Sequence, residues 1–461
     1  MAGRCEVETT LNQSNIGLAQ GLYVPQWIGM SSLHRRAIEF LLAAMSTHVG
    51  EDGLLHQFNI SGRRQISGIG VSIYFSRKAL VTAALFVREH GASYLRALSV
   101  TEVATLLTDF IKDNYAPVSN DTLFKHLDGP FSRYISVTGK DQLAEALAQS
   151  PVFRPELELT IFPLVALRVA DDFSCASFFF RKPEALPQEM PEWNQKLLMP
   201  NSFPPVIASE WKYRRETPAA WLGVRAHGLA SARKMLRAIL GAVALTPSHT
   251  YRYMFSGRSM WGGHLIAGIS TYSLSFGDAH TPPLMEDIVL GVADQNWLKI
   301  LGNKISEESR IIRRQMTALE YYYRAWPLGP SERFPILCMA LDATYSEIAG
   351  TTAAVVDGIQ STLGPLDSGR LRALLEIRAS VIHGGAPDVY DSRKYGKYFR
   401  TYGEDPIADL GLLVAACLRQ KIFDGALNEH GEPHQNILQE ARAKGRMPKN
   451  DFRSSILDLR T

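Results

Sequence analysis

Cysteine is scarce in this chain: Cys5, Cys175, Cys338 and Cys417 are the only four in 461 residues, and no two form a CxxC pair. No zinc site can be read from them, and a disulfide framework does not suit a chain of this size. Cys338 and Cys417 lie in apolar helical stretches, where a small buried thiol is the ordinary reading. An excess of one charge is also missing. The 49 basic and 46 acidic residues leave +3, which excludes a protein that coats nucleic acid by charge alone. An RNA substrate stays open, because a few local Arg or Lys side chains suffice to position one phosphate. No apolar run approaches the roughly 18–20 residues that cross a bilayer; the best, Gly411 to Leu418, ends at Arg419. The first residues, Met-Ala-Gly-Arg-Cys-Glu-Val-Glu, lack the apolar core of a secretory signal, so a cytoplasmic location is the expectation. There is no low-complexity tract, internal repeat or P-loop, and Ser67-Gly-Ile-Gly70 is too short for a dinucleotide fingerprint. No cofactor or metal is implied.

What is present is the composition of a globular protein, 46% hydrophobic and 21% charged, long enough for roughly three domains. The first third reads mostly as helices. Leu33, Ala37, Ile38, Leu41, Leu42 and Met45 share one helical face. A second helix covers Arg77 to His90 and stops at Gly91. A third starts at Ser99, where Ser99 and Glu102 have capping-box spacing. Asp141 to Ala148 makes another, and Val71 to Phe75 reads as a short strand. Near residue 150 the texture changes. Glu156 to Phe162 alternates like a half-buried strand, and the aromatic run Cys175 to Phe180 is a candidate partner for it. Six prolines between Pro183 and Pro205 mark an irregular connection. Ala230 to Ala244 is helical; Tyr251 to Phe276, aromatic and glycine-rich, fits neither pattern.

The C-terminal third is cleaner. Pro282 to Leu301 reads as an amphipathic lead-in helix, followed by helices over Ser309 to Trp326, Glu332 to Ile348, Ser368 to Ile382 and Asp405 to Phe423. Gly384 and Gly385 end the third of these four. Such helices make a bundle. The expected fold is therefore predominantly helical α+β: a mainly helical subdomain over 1–150, a mixed α+β subdomain over 151–280, an all-α bundle over 281–425 and a polar tail over 426–461.

Within the bundle, Arg310-Ile-Ile-Arg-Arg-Gln-Met-Thr-Ala-Leu-Glu-Tyr-Tyr-Tyr-Arg-Ala-Trp326 precedes Glu332-Arg-Phe-Pro-Ile-Leu-Cys-Met-Ala-Leu-Asp-Ala-Thr-Tyr345. Then come Glu376-Ile-Arg-Ala-Ser-Val-Ile-His-Gly-Gly385 and Leu410-Gly-Leu-Leu-Val-Ala-Ala-Cys-Leu-Arg419. In order and spacing this resembles the Apea-like branch of the HEPN superfamily, over roughly residues 305–425. The resemblance implies an all-helical domain with Arg378 and His383 as the catalytic pair of a metal-independent ribonuclease, supported by Asp342, Glu376, Ser380 and Gly384. It also implies a homodimer whose Arg/His pairs line one cleft. A toxin or anti-phage effector is the corresponding role, with the N-terminal region responding to a phage-derived or other trigger. Two positions depart from the family pattern: Ala379 follows the arginine where a polar residue is usual, and Asp342 replaces a glutamate. No tyrosine follows His383 at the second position, so there is no acceptor for nucleotidyl modification.

Chemistry explains why these residue types suit RNA. The 2′-hydroxyl is a built-in nucleophile beside the scissile phosphate. Histidine can move protons near neutral pH, and arginine can fork two hydrogen bonds onto phosphate oxygens. The expected products carry a 2′,3′-cyclic phosphate and a 5′-hydroxyl. Five residues on an ideal helix turn about 500°, placing Arg378 and His383 about 140° apart. They converge if the helix loosens at Gly384-Gly385 or if two subunits share the site. The ordinary alternative is an arginine salt-bridged to Glu376 or Asp342 and a packed histidine, in a bundle that dimerises or binds RNA without cutting it.

Other patterns are weaker. Arg258 to His264 also satisfies Arg-x4–6-His but lacks flanking helices. Glu210-Trp-Lys212, with Asp171 or Asp172 upstream, resembles the acidic-x-Lys element of restriction-type nucleases in a poor strand context. His430 and His434 have metalloprotease spacing, but Gly431 and Pro433 argue against the helix it needs. Of Tyr321, Tyr322 and Tyr323, one or two should be core rather than base-stacking platforms.

Overall fold

In the computed structural model the described residues are 30–47, 53–60, 69–122, 125–189, 218–267, 272–307, 309–345, 352–382, 388–431, 434–446 and 455–457. The fold is predominantly helical α+β, and the chain divides into two compact units, Met1–Pro155 and Glu156–Thr461.

In the first unit, helix α1 (Met30–Ala44) runs into strand β1 (Met45–Ser46), followed by β2 (Gly53–Ile60) and β3 (Ile69–Ser76). The three strands form an antiparallel sheet in the order β1-β3-β2. Helix α2 (Arg77–His90) ends at Gly91, whose added Cβ would lie 2.4 Å from the Val87 carbonyl oxygen, so the glycine is a steric requirement. Helix α3 (Val100–Asp113) begins with the expected capping box: Ser99 Oγ accepts from the Glu102 N–H at 3.2 Å, and Glu102 accepts from the Ser99 N–H at 2.7 Å. Helices α4 (Ala116–Thr122) and α5 (Val137–Gln149) complete the unit. Ala37, Ile38, Leu41, Leu42 and Met45 are buried along the predicted face of α1.

The second unit starts with a six-stranded antiparallel sheet. Its strands are β4 (Glu158–Leu164), β6 (Phe173–Ser174), β7 (Phe178–Arg181), β8 (Ala220–Ala226), β9 (Gly262–Ala267) and β10 (Tyr272–Gly277), in the order β10-β9-β4-β8-β7-β6. The short β5 (Leu167–Val169) pairs in parallel with β11 (Ile288–Leu290). The expected pairing of the aromatic segment near 175–180 with β4 is corrected: it pairs with β6 and β8. Strand β4 is buried on both faces. Phe162 and Leu164 join the large core, whereas Ile161 packs with Phe179, Leu186, Trp221 and Leu265 on the other side. Alternation understated its burial because Thr160 is enclosed too.

The ambiguous glycine-rich stretch is the β9–β10 hairpin. An added Cβ at Gly262 would come within 2.1 Å of the Asp278 carbonyl oxygen, and at Gly263 (φ +108°) within 2.1 Å of that of Ser275. Close backbone approach, not looseness, is what these glycines provide.

Helix α6 (Gly228–Val243) lies between this sheet and the bundle. The bundle comprises α7 (Gln295–Ile305), α8 (Arg310–Ala325), α9 (Pro330–Tyr345), α10 (Thr352–Leu363), α11 (Ser368–Ile382), α12 (Arg393–Tyr402) and α13 (Pro406–Phe423). The expected lead-in helix over 282–301 is corrected: β11 occupies its middle and the helix starts only at Gln295. Four helices were expected at the positions of α8, α9, α11 and α13; α10 and α12 join them. One continuous core runs from Phe162 through Leu319, Leu341, Leu374 and Leu413 to Ile456, so sheet and bundle are packed as one body. Helices α6 and α8 cross so closely that a Cβ at Gly241 would stand 2.1 Å from the Leu319 carbonyl oxygen. Gly241→Ala should force the helices apart and cost about 1–3 kcal/mol. A denaturant midpoint unchanged from wild type would contradict that crossing.

The region past Gly425 is not featureless. Helix α14 (Gln435–Ala443) follows a clamped segment in which Glu429 accepts from Arg252 (2.8 Å) and Arg419 (2.6 Å). His430 meets Asp294 at 2.9 Å. Burial works to raise the pKa of Glu429, but hydrogen bonds and charge from Arg419 and Arg252 outweigh it and hold the carboxyl below its usual range. Asp294 is likewise lowered: burial is outweighed by His430, the Gly291 N–H and Trp297. Depressed carboxyl pKa values give stability that is present above the unfolded value, about 4, and is lost as pH falls through the folded one. Thermal unfolding of Glu429→Gln should therefore lose less stability than wild type between pH 5 and pH 3. Parallel losses would contradict the clamp.

Candidate functional site

Arg378 lies near the end of α11, and its guanidinium Nη2 donates to a carboxylate oxygen of Asp342 on α9. The two sequence-predicted residues are thus joined across facing helices, 36 positions apart in the chain. Their side chains keep 18% and 28% of their surface exposed, so the pair is neither sealed in the core nor free in solvent.

Helix periodicity splits the remaining candidates. Two residues turn about 200° on a helix, so Glu376 and Ser380 leave α11 on the side opposite Arg378. Glu376 pairs with Lys394 of α12 at 3.6 Å, and Ser380 Oγ accepts from Ser392 Oγ at 3.1 Å. Ser392 is also the N-cap of α12. Glu376 and Ser380 therefore hold α12 against α11 and do not touch the Arg378–Asp342 pair. His383 and Gly384, like Gly385, lie outside the described residues.

Two further residues stand beside the pair: Arg314, which no sequence pattern singles out, and Cys338, expected from sequence as a buried thiol. Arg314 of α8 donates from Nε to the Ala343 carbonyl (3.1 Å) and from Nη2 to the Asp342 carbonyl (3.3 Å). Those carbonyls belong to the last turn of α9, where no intrahelical partner exists and a cation is favoured. Asp342 is consequently gripped twice, through its backbone by Arg314 and through its side chain by Arg378. Cys338, one turn earlier on α9, is buried. Burial pushes its thiol well above the usual range; Arg378 pulls it down and Asp342 pushes it up, without reversing the outcome. A thiol held protonated is not a nucleophile.

The competing patterns resolve differently. Arg258 pairs with Asp287, and His264 sits buried in β9, so that second Arg-x4–6-His match belongs to a sheet. His430 and His434 face separate carboxylates, Asp294 and Glu286. Tyr322 is core, while Tyr321 and Tyr323 are partly buried against it. Glu210 and Lys212 lie outside the described residues. Among the described residues no three His, Cys, Asp or Glu side chains gather as metal ligands, and no helix is long and apolar enough to cross a membrane.

Comparison with family models, with curated proteins and with solved structures returns no match to this chain.

Proposed function

We propose that the helical bundle over 281–425 is a metal-independent endoribonuclease of HEPN type, centred on Arg378. What supports it is the partial exposure of Arg378 and Asp342, 18% and 28%, on facing helices of the bundle; the ion pair between them is equally what the non-catalytic alternative expects. In this reading Asp342 orients the guanidinium, whose remaining N–H groups fork onto the phosphate and stabilise its growing negative charge. The 2′-oxygen attacks phosphorus, its proton is removed by a base, and the 5′-oxygen leaves as a hydroxyl after protonation. His383 is assigned that proton work. A homodimer would bring a second Arg/His pair to the same cleft. Regulation by the N-terminal region, a cytoplasmic setting and a toxin or anti-phage role follow from the same resemblance.

A second reading is favoured by the same contact. An arginine already neutralised by Asp342 is what a bundle retained for dimerisation or RNA binding would keep. Measuring RNA binding and RNA breakdown together separates the two. The nuclease reading expects wild type to do both and His383→Ala to bind without cutting. Binding with no cutting by wild type supports the regulator; neither binding nor cutting sinks the nuclease and leaves of the second reading only dimerisation.

A further inference from the structure

Between the sheet and the bundle, within the second unit, a pocket of about 370 Å³ is lined by residues that include neither Arg378 nor Asp342. Its size falls within the roughly 300–1,000 Å³ of small-ligand sites. Three stretches of chain converge on it: the loop before β9 brings Arg258 and Met260, the segment after β10 brings His280, Pro282 and Pro283, and the end of α8 brings Tyr323 and Arg324. Tyr323 donates to the His280 carbonyl at 2.8 Å, which ties the α8 wall to the sheet-side wall and preforms the cavity.

The lining contains two arginines and a histidine but no carboxylate. Arg258 is committed to Asp287, which Arg168 shares, so this group carries a net positive charge. Arg324 is exposed and makes no ion pair among the described residues; its guanidinium carbon stands 5.7 Å from the Tyr321 ring centre. Burial, together with the neighbouring His264 and Arg233, outweighs the Gly263 hydrogen bond and keeps the His280 pKa below its usual value, so the positive charge at the pocket comes from the arginines. The rest of the lining is largely apolar and includes Met260, Pro282, Pro283 and Pro327. Arginines beside apolar side chains complement a molecule that is charged at one end and apolar at the other.

We infer that this pocket binds a small organic anion, a phosphate or carboxylate headgroup on an apolar body, with Arg324 holding the headgroup. Such a ligand touches the sheet loops and α8 at once, so its binding stabilises their junction. Because it does not use Arg378, Asp342 or His383, it stands or falls apart from the ribonuclease proposal.

Thermal unfolding of the full chain tests it with four probes: adenosine monophosphate, indole-3-acetate, adenosine and inorganic phosphate. At saturation, one of the two complete anions should raise Tm by about 3–5 °C, and which one does so identifies the headgroup. Adenosine and phosphate, each half a ligand, should do markedly less. Arg324→Glu, in the last turn of α8, should lower the unliganded Tm slightly and lose the ligand-induced rise; Arg324→Lys should keep the unliganded Tm and part of the rise. No rise with either complete anion, or an undiminished rise in Arg324→Glu, overturns the inference.

Discussion

Replacing Arg378 with alanine should slow RNA cleavage by at least about a hundredfold while leaving the bundle folded. The magnitude is that of removing one preorganised donor from a transition-state oxyanion, about 10²–10³ in rate. The fold should survive because the side chain is partly exposed and its partner Asp342, with 28% of its side chain exposed, can be hydrated once unpaired. Arg314 continues to satisfy the last carbonyls of α9. Asp342→Asn should cost less than Arg378→Ala, because the amide still offers an oxygen to the guanidinium but no charge. The double variant should be no worse than Arg378→Ala alone, since Asp342 acts through that arginine. Equal and additive losses from the two would mean that Asp342 acts separately.

Asp409→Ala should destabilise the second unit by about 3–5 kcal/mol, the usual result of deleting one partner of a buried ion pair. Arg370 and Asp409 are each only 3% exposed. The Asp409 carboxylate receives Arg370 Nε at 3.0 Å and Nη2 at 2.6 Å, and also the Tyr398 hydroxyl at 2.5 Å. Removing it leaves the buried Arg370 guanidinium without its countercharge, at the point where α11, α12 and α13 meet. Arg370→Met with Asp409→Leu, which removes both charges, should recover much of the loss. A denaturant midpoint for Asp409→Ala within about 0.5 kcal/mol of wild type would show that the cluster is hydrated.

Local signals carried far. Ser99 and Glu102 marked the start of α3, Gly91 the end of α2, and Asp405 with Pro406 the start of α13, because capping chemistry depends only on near neighbours. Helix α12 was overlooked although Ser392 and Gly403, the latter at φ 72°, bracket it in the same way. The strand pairing of the 175–180 segment was not legible, since β7 finds its partner β8 some forty residues further along and nothing local encodes that choice. At the site, sequence brought out Arg378 and Asp342 as members of one pattern, and Asp342 was named as a salt-bridge partner. Glu376, offered equally as a partner of Arg378, pairs with Lys394 instead, and sequence could not sort Glu376 and Ser380 onto the α12 side without the neighbouring helix in view. Arg314 escaped because its contact is with backbone carbonyls 28 and 29 residues away, which no residue pattern announces.

The most direct measurement is the 3′-end chemistry of fragments released from a labelled single-stranded RNA by the full chain in the presence of EDTA. The ribonuclease account predicts 2′,3′-cyclic phosphate ends with wild type, and near loss of those fragments with Arg378→Ala and with His383→Ala. Fragments with 3′-hydroxyl ends, cleavage abolished by EDTA, or cleavage that proceeds at the wild-type rate in Arg378→Ala would contradict it.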